Sequence, residues 1–434
     1  MRFIAGGPSI PDELLLARDQ GRVIFFCGAG VSRAKANLPD FFGLATAVTH
    51  ALGVKPDDPA RKIISEVAEV ARRTGVDGLI SADRIFGLLE RDFLPRDIEA
   101  AVARALTPRQ VADTSAHETL VRLATTREGI VRIVTTNFDR LFDGCRPGLR
   151  SFLPPNLPSP ARATDFNGVV YLHGKMNALG DGADGDGFVL SSSEFGRAYL
   201  SDGWATLFVK DLLSRYFVVF IGYSADDPPV QYLLEALNRA NGPMEGVYAF
   251  QAGDSNYGNL RWSHKGVTPI AYGSAEGHAM LWSTLEAWAA RADDPDAWTC
   301  KVVSMAGGNP AKLQPHERGQ VAHVVSTIEG LRRFTDAEPV PPASWLCVFD
   351  PYRRYAKPNY IGRWDQEERL FVDPFECFCL DSDPVPEKID PEDAYAKRET
   401  PPDAFDCQTA CKTDPGSASN FDPLLVHDVE RPTG

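Results

Sequence analysis

The stretch VIFFCGAGVSRAKANLPDF, residues 23–41, runs as an apolar strand into Gly28-Ala29-Gly30, where backbone without bulky side chains can lie against a dinucleotide pyrophosphate. A hydride-carrying site wants more than this. The redox fingerprint G-x-G-x-x-G places a third glycine where Arg33 stands, and the acid expected about 20 residues on for the ribose is missing from TAVTHALGV. Three other clusters also come directly after apolar runs: Thr135-Thr136-Asn137-Phe138-Asp139, Leu172-His173-Gly174 and Gly222-Tyr223-Ser224. They supply a carboxylate, an amide and an imidazole of ordinary pKa about 6.5, groups that orient hydroxyls or water and accept a proton. Taken singly, each has a plainer reading as a glycine turn, a helix cap or a satisfied polar residue. Their joint occurrence after apolar runs singles them out.

The elements that must position them are read from periodicity. Runs rich in β-branched and aromatic residues, RVIFFCG, IVRIVTTN, GVVYLHG, YFVVFIG, GVYAFQA and GVTPIAY, alternate with helix-period stretches such as SADRIFGLLERDF, HETLVRLATTR and WATLFVKDLLSRY. This predicts an α/β fold, a doubly wound, mostly parallel, Rossmann-like sheet with helices on both faces. Ligands of such sheets collect outside the carboxyl ends of the strands, where all four clusters fall. Helical stretches between about 56 and 110 exceed one crossover and read as an inserted helical layer. The predicted organisation is residues 1–295 as the nucleotide-handling domain, 296–380 as a small mixed unit, and 381–434 as an acidic, proline-rich tail or the start of a further domain.

Composition excludes several classes. The 434 residues carry a formal net charge of −14, which argues against direct nucleic-acid binding or attachment to an anionic membrane. From Asp381 onward there are 13 Asp/Glu and 8 Pro against 5 Lys/Arg, so this segment is not expected to hold a core. The first twenty residues lack a signal-peptide apolar region, and the longest apolar run, YFVVFIGY, is too short to span a bilayer. Eight scattered cysteines suit reduced thiols, so a cytoplasmic protein is expected. Cys377-x-Cys379 and Cys407-x3-Cys411 lack zinc-ribbon spacing and interleaved histidines, and no metal is expected.

The order GAGVS, PDF beginning nine residues after Gly30, TTNFD, LHG and GYS resembles the Sir2 (sirtuin) family, over roughly residues 20–290. More narrowly, the TTNxD-type motif and the helical insertion look like those of Sir2-like NAD-cleaving effectors of bacterial anti-phage systems. The resemblance implies that NAD is a substrate to be cut. It assigns Asn137, His173 and Asp139 to catalysis: Asn137 positions ribose hydroxyls or water, His173 is the general base, and Asp139 binds the nicotinamide carboxamide. It assigns Gly28, Ala29, Gly30, Ser32, Asp40, Phe41, Thr136, Gly222 and Ser224 to NAD binding, with Ser32 and the amides around it on the pyrophosphate. Phe41 would screen the nicotinamide pocket, on a loop with Asp40 that closes over it, and Gly222 and Ser224 would lie under the adenosine. Arg33 is tolerable in this scheme if the segment after Gly30 is a loop. Asp226 and Asp227 read as helix caps.

Departures from the pattern are equally informative. Deacylating sirtuins carry paired zinc-binding cysteines after the catalytic His, and no cysteine lies between His173 and Gly222. Phe42 stands where an Arg usually comes after PDF, and Thr136 where Gln is usual. Water is therefore the expected acceptor, and an NAD glycohydrolase giving linear or cyclic ADP-ribose the expected activity. An NAD or ADP-ribose sensor or scaffold, and a protein deacylase, are the alternatives. Homo-oligomerisation, or an activating protein partner or phage component, is expected to gate so costly an activity.

Overall fold

The computed structural model describes residues 1–74, 80–108, 110–162, 164–223, 234, 244–349 and 380. They form two compact units, Glu13–Ala292 on the one hand and Met1–Asp12 with the residues from Asp293 on the other. In the larger unit, α1 (Asp12–Asp19) leads into β1 (Val23–Cys27), followed by α2 (Ala29–Ala36), α3 (Phe41–Ala51), α4 (Pro59–Thr74), α5 (Ala82–Asp92), α6 (Pro95–Leu106) and α7 (Ser115–Ala124). Then come β2 (Arg132–Thr135), β3 (Ser151–Phe152), β4 (Gly168–Tyr171), α8 (Ser192–Gly196), α9 (Trp204–Leu213), β5 (Phe217–Ile221), β6 (Val247–Ala252) and β7 (Thr268–Tyr272).

The seven strands form one sheet in the order β3-β4-β2-β1-β5-β6-β7, and every pair is parallel. All five residues of β1 are buried, as expected of a central strand covered on both faces. The chain leaves β1 towards β2 on one side and later returns to place β5 on the other. The topological switch point therefore lies between β1 and β5, where a doubly wound sheet opens its binding crevice.

Register makes that crevice level. Ile221 pairs with Cys27, Cys27 with Thr135, and Thr135 with Tyr171, so four adjacent strands end in one row. The next residue on each strand, Gly28, Thr136, Leu172 and Gly222, leaves the sheet at the same height. Six of the seven strands coincide with the apolar runs; the two-residue edge strand β3 has no such signal.

The helical layer expected near 56–110 is present as α4, α5 and α6. Pro95 starts α6 at a position where its missing N–H is harmless, and Ile98, Ala101, Val102 and Leu106 fall on one buried face. They join Leu44 and Val48 of α3, Ile85, Phe86 and Leu89 of α5, and Phe138 just after β2 in a core distinct from that of the sheet. The layer thus packs directly behind the Asn137 segment.

In the other unit, the described stretch 293–349 is helical, with Val302, Val321, Val324, Trp345 and Val348 at its centre. The first residues of the chain belong here: Gln320 donates to the carbonyls of Arg2 and Phe3, and Phe3 packs on Trp298. The aromatic stretch expected to make this unit mixed, 350–380, lies apart from Leu380 outside the described residues, as do the acidic segment from 381, the four cysteines Cys377 to Cys411, Ser224, Asp226 and Asp227. Among the described residues no helix is long and apolar enough to cross a membrane.

Candidate active site

The turn after β1 is built on backbone, not on loop freedom. Gly28 N–H donates to Ile221 O and Gly30 N–H to Gly222 O, so the glycine turn continues the β1–β5 pairing past the strand ends. At Gly30 a Cβ would lie 2.7 Å from the Cα of Gly222; at Gly222, which has φ +71°, a Cβ would lie 2.6 Å from the Val31 nitrogen. Two glycines are needed here by mutual approach. The expected loop after Gly30 is a helix, α2, with Gly28 as its N-cap. Arg33 is tolerated for another reason: it points outward and pairs with Asp40 at 2.9 Å. The amides of Gly28, Gly30 and Val31 are all engaged with backbone carbonyls.

Asn137 is held by its neighbours. The Thr135 hydroxyl donates to Cys27 O at 2.9 Å and accepts from the Asn137 N–H at 3.1 Å, which ties the turn after β2 to β1. The Asn137 side-chain amide donates to Gly28 O at 3.2 Å and to Ser32 Oγ at 2.9 Å. Both its protons are engaged, and its carbonyl oxygen is the group left to accept from a ligand. Thr136 Oγ1 lies 2.6 Å from the Tyr223 hydroxyl, bridging the ends of β2 and β5.

Asp139 is buried, with Oδ2 accepting from the Ser32 hydroxyl at 2.7 Å and Oδ1 accepting from the Leu141 N–H at 3.0 Å. No ion pair to it exists among the described residues. Ser32 therefore serves the carboxylate and the amide, where the sequence placed it on a pyrophosphate. His117, which sequence reasoning missed, completes this group: its Nε2 is 3.2 Å from Ser32 Oγ, and its Nδ1 is buried without a partner. Burial lowers its pKa, against the opposing pull of the Asp139 charge. A Ser32 hydroxyl that donates to Asp139 and accepts from Asn137 has one lone pair left, which a His117 Nε2–H satisfies. The only sequence signal was its place on the buried stripe His117, Leu120, Val121, Ala124 of α7.

His173 leaves β4 fully buried, its ring edge-on to Phe195 at 5.0 Å and its Nε2 2.9 Å from the Tyr199 hydroxyl. Burial drives its pKa down to about 3, so the ordinary value expected from sequence does not hold. The imidazole is neutral throughout the physiological range. The folded pKa lies below the unfolded one, so the stabilisation from this group is complete above about pH 6.5 and declines as pH falls towards 3. Acidification from pH 7.5 to 5 should remove about 2 kcal/mol through His173. Calorimetry over this range should show a smaller loss in His173→Gln than in the wild type.

Asp40 caps α3, accepting from the Gly43 N–H at 2.8 Å, and Phe41 is the first residue of that helix rather than part of a closing loop. Phe41 stacks on Phe86 of the helical layer at 5.5 Å and meets Phe138 and Phe195 at 6.4 and 6.2 Å. Beyond Gly174, buried Lys175 reaches Asp143 at 2.6 Å and Ser151 at 2.9 Å, bracing the segments after β2 and β4 against each other. One cavity gathers Ala29, Ser32, Asp40, Phe41, Thr136, Asn137, Asp139 and His173, with Leu44, Leu106, Pro39, Phe138 and Phe195 as apolar wall. Gly28, Gly30 and Gly222 lie beneath it as scaffold. Among the described residues no group of three or more His, Cys, Asp or Glu could hold a metal ion.

Comparison with known proteins agrees with this architecture. The chain is 30% identical over 330 residues, 71% of its length, to the uncharacterized protein y4cA of Sinorhizobium fredii (strain NBRC 101917 / NGR234), and spans only 26% of that relative. Residues 131–270, from the start of β2 to β7, match the family model described as SIR2-like domain. Residues 131–270, which include the Asn137 and His173 turns at level strand ends, thus carry a SIR2-like domain, a type of domain that uses NAD, within an all-parallel Rossmann-like α/β fold.

Proposed function

We propose that the chain is an NAD glycohydrolase that replaces nicotinamide on the ribose by water, and that it acts as an NAD-depleting effector in bacterial anti-phage defence. The observation that carries this reading is the cavity's polar set: a buried carboxylate without an ion-pair partner among the described residues, an amide carbonyl free to accept, and a neutral imidazole. Oxidised nicotinamide is a cationic ring, and the buried carboxylate of Asp139 offers it the opposite charge in a medium of low dielectric. As the C1′–N1 bond breaks, its electron pair goes to the ring nitrogen and positive charge moves to the sugar. The leaving group is a neutral pyridine, so no acid is needed. Asn137 Oδ1 orients a ribose hydroxyl or the incoming water, and His173 takes the proton released when water bonds to C1′.

The test is incubation of purified chain with NAD, with and without an acyl-lysine peptide, measuring nicotinamide and the ribose product by chromatography. Peptide-independent nicotinamide release is expected, and the product peak distinguishes linear from cyclic ADP-ribose. Release only with peptide would make the chain a deacylase; binding of NAD without release would make it a sensor. The same series over protein concentration tests gating: turnover should be weak in dilute, isolated chain and rise on self-association or on adding a cognate partner or phage component. Full turnover by a dilute monomer would refute gating.

A further inference from the structure

We propose that Tyr199 is a positioning residue that fixes the tautomer of His173, holding the proton on Nε2 so that Nδ1 presents the lone pair; the inference rests on reading His173 as the base. The geometry begins in the backbone. Ser191 caps α8 and Glu194 Oε2 accepts from the Ser191 N–H at 2.9 Å, which anchors the helix start and turns Phe195 inward. The chain then widens into one π-helical turn, Arg197–Ser201. A π-turn inserts a residue into the helical repeat and rotates the residues after it, which is why such turns recur at functional positions. Here the rotation buries Tyr199, and its carbonyl accepts from Thr206 Oγ1 at 2.6 Å, fixing the turn to α9.

The consequence for His173 is stereochemical. Its ring is wedged edge-on between Phe195 and Tyr199, at 5.0 and 5.9 Å, so it cannot exchange its two nitrogens by flipping without moving one of them. Nε2 is committed to the Tyr199 hydroxyl, and Nδ1 makes no hydrogen bond among the described residues. A neutral imidazole carries one proton, and the partner of one nitrogen decides which nitrogen keeps it. If Nε2 accepted from Tyr199, the proton would sit on Nδ1 and no lone pair would remain for water. Only with Nε2–H donating to the tyrosine oxygen does the ring hold a usable base. A hydroxyl can donate as well as accept, so Tyr199 takes the part that a proton-free carboxylate or carbonyl takes elsewhere only with its own proton turned away from Nε2.

The test uses the full chain labelled with 15N-histidine. It has eight histidines, and His173→Gln identifies the signals of His173 by their loss. The expected wild-type spectrum shows His173 in the Nε2–H form. In Tyr199→Phe that preference should be lost and nicotinamide release should fall about 10- to 100-fold, the range for removing a partner that orients a functional imidazole, with NAD affinity little changed and only a modest drop in melting temperature. Tyr199→Gln, which offers an oxygen acceptor again, should recover part of both the tautomer and the rate. A wild-type His173 in the Nδ1–H form, or a Tyr199→Phe chain that keeps both tautomer and turnover, would overturn the proposal. If the wild type releases no nicotinamide at all, the base reading fails, and the two spectra still decide whether Tyr199 sets the tautomer.

Discussion

His173→Ala and Asn137→Ala should each cut nicotinamide release by about 10²- to 10⁴-fold while the chain remains folded, the range expected when a positioned acid–base or orienting group is removed. The two losses arise differently. Without His173 no imidazole remains in the cavity among the described residues to take the proton, since His117 is turned towards Ser32. Without Asn137 the ring remains but the carbonyl that orients the sugar or water is gone, and Ser32 and Gly28 O lose a donor. That lost bonding should lower stability by about 1–3 kcal/mol, measurable as a modest drop in Tm. Residues acting on one step are not additive, so the double variant should be little worse than the weaker single one. Nicotinamide release by His173→Ala at the wild-type rate, with NAD in excess, would remove this histidine from the mechanism.

Gly222→Ala should cost stability heavily. The residue has φ +71°, which costs an alanine about 1–2 kcal/mol, and the new methyl would stand 2.6 Å from the Val31 nitrogen and 3.0 Å from Gly28 O. Both neighbours are backbone of the turn after β1 and cannot swing aside as a side chain would. Overpacking of this kind adds about 1–3 kcal/mol, for a total of about 2–5 kcal/mol. Because the cost falls on the switch point, NAD binding should be lost along with stability. Gly53→Ala, also at positive φ but with open space around the new methyl, should show only the conformational part. Denaturant melts of the two variants, side by side, separate the two contributions; equal losses would mean that the close approach at Gly222 is not a constraint.

Strands and site were legible in the sequence to very different degrees. Strands buried on both faces must be apolar throughout, so β1, β2, β4 and β5 stood out as runs, and the polar residues ending them stood out by contrast, while β6 and β7 stood out by their β-branched and aromatic residues. Edge strand β3, two residues long, carries no burial pattern and left no signal. The cavity members Ser32, Asn137, Asp139 and His173 come just after strands and were legible for that reason. Their partners were not. His117 lies on a helix face otherwise made of Leu120, Val121 and Ala124, where a histidine reads as core, and Tyr199 depends on a π-turn that no periodicity announces. A hydroxyl beside a glycine turn suits a phosphate and a carboxylate equally well, so the 2.7 Å bond from Ser32 to Asp139 was not legible in the sequence.

The level row Ile221, Cys27, Thr135 and Tyr171 also bears on how the molecule comes into being. Its four members lie far apart along the chain, and the last of them to be made belongs to β5, which pairs directly with the first strand. Such pairings close long loops and form late compared with local helices. A nascent chain whose β5 is still inside the ribosome can fold α4 to α6 and even pair β1 with β2, but it has no switch point, because Ile221 O and Gly222 O hold the turn after β1. The topology therefore acts as a check on completeness during synthesis. The glycine turn can take its final form only once the chain through Gly222 has emerged and docked.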